Sequence, residues 1–271
     1  MRFDCVYAFG CSNATGAEHE DWEIKKRSKA ADHSSDDVYT HLIADHYQVP
    51  HFNWGEEGCA NQSIYRQVIE AVDHAKMHQH KPLFWVMWTK FFRQEIYHCM
   101  DWSLQDQKKF YKWPMVWPHN EIKKKNNLPG QQYVDKKINY QDWSKNYFKH
   151  ADDLTLISQS LLAMYSVQNL LIAQQYDHVF TSSFVLDGVS HAVGLNPEFP
   201  QRHLVKAFDV INRNIFVNSP WWWWSADKRS GFLSWIRENG YTTYPGGHAT
   251  ELSHQRAFEA IIESKFLEKF A

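Results

Sequence analysis

Ser12 stands in the run Ala8-Phe9-Gly10-Cys11-Ser12-Asn13-Ala14-Thr15-Gly16, at the end of the chain's first apolar stretch. Arg2 to Phe9 (RFDCVYAF) has the β-branched and aromatic content of a short buried strand, and Gly10 ends it. A serine just past the carboxyl end of a first strand, between glycines, sits where open α/β sheets bind ligands and do chemistry. That makes Ser12 a candidate nucleophile; the plainer alternative is a serine that caps a turn. Serine is a poor nucleophile alone, so this chemistry needs a histidine base and oxyanion donors from elsewhere in the chain.

A second chemical cluster is His74 and His78, four residues apart on an expected helix, with His80 close by. Histidines at that spacing can bind a metal. The alternative is a solvated helix face. Cys5, Cys11, Cys59 and Cys99 are scattered, without a CxxC pair, and a disulfide scaffold does not suit a chain of 271 residues.

The elements that must position Ser12 follow from hydrophobic periodicity. Asp36 to Tyr47 predicts a helix opened by acidic residues, with Val38, Leu42 and Ile43 on one face. Val49 to Phe52 suits a second strand, and Asn53 to Asn61 a glycine-bearing loop. Gln62 to His78 predicts a helix with Ile64, Val68, Ile69 and Val72 at helical spacing. Pro82 to Trp88 (PLFWVMW) is continuously apolar, as a central parallel strand is. Asp152 to Tyr176 predicts a long helix, Asp177 to Phe184 a fourth strand, and Ala249 to Phe270 a closing helix. Residues 185–245 give no clear pattern. Strand alternating with helix argues for a doubly wound α/β domain spanning 1–271, interrupted by an insertion at about 91–150.

The insertion is basic and aromatic: residues 101–150 hold ten Lys against five Asp or Glu, with ten aromatics interleaved. A lid or substrate wall suits such a segment at a strand end. The excess of positive charge is too small to argue for nucleic acid, and the formal net charge of −2 adds no global signal for it. Thirteen tryptophans stand out, four of them consecutive at Trp221 to Trp224. Four neighbours cannot all face one core. This segment is expected to place one or two rings against a partner, a ligand or a second copy. The start of the chain has no apolar signal-peptide core, and no stretch approaches 18 apolar residues. The expectation is a cytoplasmic protein, or one assembled there into a particle, with no membrane association.

Four blocks, in order, resemble the SGNH (GDSL-like) hydrolases, and in particular the divergent SGNH-like proteins of tailed phages. They are Phe9-Gly10-Cys11-Ser12; the loop Asn53 to Asn61; the strand end Met87-Trp88-Thr89-Lys90; and Gly247-His248-Ala249-Thr250-Glu251-Leu252-Ser253-His254-Gln255-Arg256-Ala257. The resemblance spans most of the chain apart from the insertion. It implies a flavodoxin-like three-layer sandwich around a parallel sheet. It also implies an esterase in which Ser12 is the nucleophile and His248 the base, with no metal or organic cofactor. Gly58 falls where a family glycine donates its N–H to the oxyanion, and Asn61 follows as a side-chain donor. Thr89 stands where the family has an oxyanion asparagine.

Two departures stand out. Cys11 replaces the usual acidic residue before the nucleophile. Pro245 stands three residues before His248, where the family carries the aspartate that orients the base. An alternative register pairs Glu251 with His254 as acid and base. Asp187, Asp209 and Asp227 are further candidates for the missing acid.

Three functions fit. One is a serine esterase acting on a carboxylic ester, with a carbohydrate acyl or acetyl ester suggested by tryptophan richness. The second is a structural or glycan-binding protein of a phage particle that keeps the fold without turnover. The third is an O-acyltransferase using the same site.

Overall fold

The computed structural model of the protein describes residues 2–21, 35–91, 94–95, 115–116, 153–184, 214–216, 219–225 and 231–270. Its centre is a four-stranded parallel sheet. The strands are β1 (Cys5–Phe9), β2 (His51–Asn53), β3 (Pro82–Trp88) and β6 (His178–Ser182), in the order β2-β1-β3-β6. Two short strands, β4 (Gln94–Glu95) and β5 (Met115–Val116), pair antiparallel in a separate ribbon. Apart from that ribbon, nearly all of the expected 91–150 insertion lies outside the described residues, as does Cys99.

Helices cover both faces, as the alternation of elements requires. On one face α3 (Asn61–His78) packs against α4 (Asp153–Ala173). On the other lie α2 (Tyr39–Tyr47), α5 (Phe232–Glu238) and α6 (Glu251–Glu263). Strand side chains alternate between the two layers. Tyr7, Phe9, Phe84, Val86 and Trp88 enter the α3/α4 layer, while Val6, Leu83, Trp85 and Met87 enter the other. All seven residues of β3 are buried. Each large apolar side chain sealed this way contributes about 1.5–3 kcal/mol, which is why this strand reads as an unbroken apolar run.

The four tryptophans resolve by the same alternation. Trp221 bridges in parallel to Phe180 of β6, with Phe180 N–H donating to Pro220 and Trp222 N–H donating to Phe180. The segment therefore extends the sheet beyond β6. Trp221 and Trp223 stack on each other over the α3/α4 layer, 4.6 Å between centroids. Trp222 and Trp224 meet edge-to-face in the opposite layer. Two layers, each taking two rings, accommodate what one core could not.

Several element ends differ from the expected ones, for identifiable reasons. Helix α2 starts at Tyr39, because Val38 before it has extended backbone (φ −76°, ψ 143°); the N–H groups of Asp36 and Asp37 go to the side chains of Asp21 and Ser35. The closing helix stops at Glu263. Lys265 turns with φ 58°, and a 3-10 turn (Phe266–Phe270) folds Leu267 and Phe270 back onto the core. Among the described residues, no helix is long and apolar enough to cross a membrane.

Candidate active site

The strand order reverses between β1 and β3, so the crevice that such a reversal leaves is expected at their carboxyl ends. There the connections leave in opposite directions, and open α/β sheets bind their ligands at such points. Gly10 carries the chain out of β1 with φ 151°. A Cβ on it would lie 2.8 Å from Ala14 Cβ and 2.9 Å from the Met87 carbonyl, so only glycine lets the chain pass. Ser12 then opens the one-turn helix α1 (Ser12–Thr15), which ends at Gly16 with φ 68°. Ser12 is 8% exposed, at the edge of the buried interior.

His248 reaches the same place on a tight hairpin. Thr243 bridges antiparallel to Ala249, and Tyr244 N–H donates to the His248 carbonyl. Gly247 N–H donates to the Tyr244 carbonyl, closing a turn with Pro245 at its second position, and Gly247 follows with φ 89°. Pro245 thus shapes the turn that presents the histidine. The Thr250 side chain then caps α6 by accepting the Ser253 N–H.

The hairpin is pinned to the segment that carries Ser12. Ala249 N–H donates to Asn13 Oδ1 at 3.4 Å, and the Ala249 carbonyl lies 3.0 Å from His19 Nε2. Glu18, six residues after Ser12, makes the remaining links. One carboxylate oxygen lies 2.6 Å from His248 Nδ1, and the other accepts Gly246 N–H at 3.1 Å. Ser12 Oγ and His248 are not hydrogen-bonded to each other, but their sequence neighbours Asn13 and Ala249 are. Sequence patterning missed Glu18. The usable signals were its position one short turn after Ser12 and the glycine at 246.

The expected oxyanion donors differ in their engagement. Gly58 is buried with φ 71°, in a loop strapped to the end of β1 by Trp54 N–H on Ala8 and Glu56 N–H on Gly10. Asn61 is fully buried at the start of α3 and clamps the end of β3. Its Oδ1 accepts Thr89 N–H at 2.9 Å, and its Nδ2 donates to the Thr89 carbonyl at 3.3 Å. Thr89 is also fully buried, yet its hydroxyl has no hydrogen-bond partner. An orphaned buried hydroxyl costs about 1–3 kcal/mol, and this one directly follows β3 at its carboxyl end.

The alternative acid–base pair does not form. His254 is fully buried on α6, stacked on Tyr39 and edge-on to His19, and its Nδ1 accepts Tyr39 N–H at 3.3 Å. Burial, and secondarily His19, holds its pKa well below that of an ordinary histidine. Glu251 instead accepts the Tyr244 hydroxyl. Burial opposes Glu251 ionisation, but the Tyr244 hydroxyl and helix N–H groups outweigh it and leave its pKa lowered. Asp187, Asp209 and Asp227 lie outside the described residues.

The His74 cluster is organised around a tyrosine. Tyr7 Oη lies 2.6 Å from His74 Nδ1 and 2.8 Å from His80 Nδ1. Burial, and then His78 and His80, lowers the His74 pKa. Among the described residues, one set of three side chains brings ligand atoms within 4.8 Å of one another: His19, Asp21 and Asp37. Both ring nitrogens of His19 are already matched, to Ser35 Oγ at 2.8 Å and to the Ala249 carbonyl.

No family model matches the chain, and no curated protein matches it. Among solved structures it is similar to a member of the lipolytic protein G-D-S-L family from Veillonella parvula. The identity is 11%, 96% of each chain is covered, and the TM-score is 0.45. The class that the fold defines is a doubly wound α/β domain with helices on both faces of a parallel sheet.

Proposed function

We propose that the protein is a serine hydrolase of carboxylic esters, with Ser12 as nucleophile and His248 as base. The observation that carries this is the anchoring of His248. Its Nδ1 faces a carboxylate, and its hairpin is hydrogen-bonded to the residue beside Ser12. An imidazole held through Nδ1 keeps its proton there and leaves the Nε2 lone pair as the base.

Ser12 Oγ attacks the ester carbonyl carbon while its proton passes to His248 Nε2. The tetrahedral intermediate collapses, and the leaving alcohol takes that proton. Water then attacks the acyl-enzyme, gives a proton to His248, and Ser12 leaves with it as the carboxylic acid departs. The negative oxygen needs donors that are preorganised and otherwise idle. Thr89 Oγ1 meets that condition, and the Ser12 and Gly58 N–H groups are assigned beside it. Asn61 is assigned a different task, holding Thr89 in place through both of its amide groups. Trp221 to Trp224 are used in packing the two layers and supply no argument for a sugar substrate.

Labelling with a fluorophosphonate probe tests this reading. Wild type is expected to label covalently, and Ser12→Ala and His248→Ala are expected not to. A folded wild type that stays unlabelled would overturn the hydrolase reading in favour of a binding protein.

A further inference from the structure

We infer that Glu18 is the positioning acid of the site, supplied from the nucleophile's own segment instead of from the residues preceding the base. The inference rests on the assignment of Ser12 and His248 above.

Position 245, three residues before the base, holds a proline that shapes the hairpin and whose side chain has no acceptor for the imidazole. Glu18 fills the vacancy from across the crevice. Its carboxylate is shared between His248 Nδ1, at 2.6 Å, and Gly246 N–H, at 3.1 Å. Both interactions draw on one rigid group, so they fix the distance between the imidazole and the backbone of its own turn. Gly246 is shaped for this contact: a Cβ there would lie 2.4 Å from both carboxylate oxygens. A side chain at 246 would push the acid away from the base.

The backbone at Glu18 points the same way. Its φ is 75°, a left-handed conformation that non-glycine residues rarely adopt. Backbone strain of this kind is concentrated at functional sites, where surrounding contacts over-determine it. Glycine would suit the conformation better and would lack the carboxylate. Glu18 side-chain exposure is 31% and that of His248 is 20%, so the pair faces the crevice without being sealed in the core.

In the reaction the Ser12 proton moves to His248 Nε2. Glu18 accepts from Nδ1–H and orients the ring while the proton at Nε2 comes and goes. Nucleophile and acid therefore share residues 12–18, and the base hairpin docks onto residues 12–19 through three anchor residues: Asn13, Glu18 and His19.

The test is a set of full-length variants at position 18, read by fluorophosphonate labelling rate across pH and by ¹⁵N shifts of the His248 ring. Glu18→Gln and Glu18→Gly are expected to label about 10²–10⁴-fold more slowly at pH 7, with Glu18→Asp recovering part of the rate. Glu18→Gly also relieves the left-handed backbone, which offsets part of the stability lost with the carboxylate contacts. Gly246→Ala is expected to lower the rate in the same way. The neutral His248 ring is expected to carry its proton on Nδ1 in wild type and to shift toward Nε2 in Glu18→Gly. If Glu18→Gln and Glu18→Gly label like wild type with an unchanged pH profile, while Ser12→Ala and His248→Ala are dead, the inference falls and the hydrolase reading stands. If wild type does not label, the hydrolase reading falls. The ring tautomer then decides alone, and a wild-type proton on Nε2 would overturn the pairing.

Discussion

His248 and His254 are six residues apart, and their surroundings are opposites. His248 rides on a glycine-rich turn at the carboxyl end of the sheet, partly exposed, with a carboxylate on Nδ1. His254 lies one turn into α6, fully buried among Tyr39, Phe232 and His19, and accepts a backbone N–H. One ring has partial exposure and a carboxylate partner. The other is held neutral by burial. Residue type is the same, so the difference comes entirely from what the fold places around each ring.

The strongest way to break this comparison is to remove each ring in turn. His248→Ala is expected to lower the labelling rate by about 10⁴-fold or more, as is Ser12→Ala, with little change in melting temperature. His254→Leu is expected to leave labelling within about threefold of wild type. Equal loss of labelling from both histidine variants, in folded protein, would erase the distinction.

Thr89 sharpens it next. Thr89→Val replaces an unpartnered buried hydroxyl with a methyl of similar volume. Turnover of a p-nitrophenyl ester is expected to fall about 10²–10³-fold, as for loss of one oxyanion donor. Thermal unfolding should show the variant to be as stable as wild type or about 1 kcal/mol more so. A variant that is active and less stable would mean that the hydroxyl serves the fold.

Asn61→Ala tests the strut behind Thr89. It strips two hydrogen bonds from the Thr89 backbone and leaves those groups buried. Chemical denaturation is expected to show a loss of about 2–4 kcal/mol, with activity lost alongside. Loss of activity at unchanged stability would instead give Asn61 a direct part in the chemistry.

The smallest effect is in the pH dependence of stability. Burial, and secondarily His19, lowers the His254 pKa from the usual 6.5; burial also lowers that of His178, outweighing the Tyr176 carbonyl and Asp177. The unfolded chain begins to protonate these rings near that ordinary value, while the folded form keeps them neutral. Their contribution is therefore complete above about pH 6.5. It is lost as pH falls below that value, at up to about 1.4 kcal/mol per unit for each ring. Melting temperature measured from pH 7.5 down to 5 should fall, and His254→Leu should flatten the slope. An unchanged slope in that variant would mean that His254 does not stay neutral in the fold.

The sequence by itself determined the sheet and pointed to the two ends of the proposed site. Val6 to Phe9 and Pro82 to Trp88 are apolar enough to form only buried parallel strands, and Gly10 then dictates where Ser12 emerges. These are local signals, carried by runs of a few residues. The Gly247-His248 block likewise put His248 just ahead of the last helix, expected from Ala249; the Thr250 cap that starts it at Glu251 came with the structure.

Only the tertiary structure decided which groups meet. Glu18 and His248 are 230 residues apart, and neither carries a local mark of the other. Asn61 appears as a loop-end donor until β3 is packed beside α3 and takes up its amide. Trp221 to Trp224 exceed what one core can hold until a fifth strand position divides them between two layers. In each case the deciding term is a contact between distant segments, and strand and helix periodicity contains no information about it.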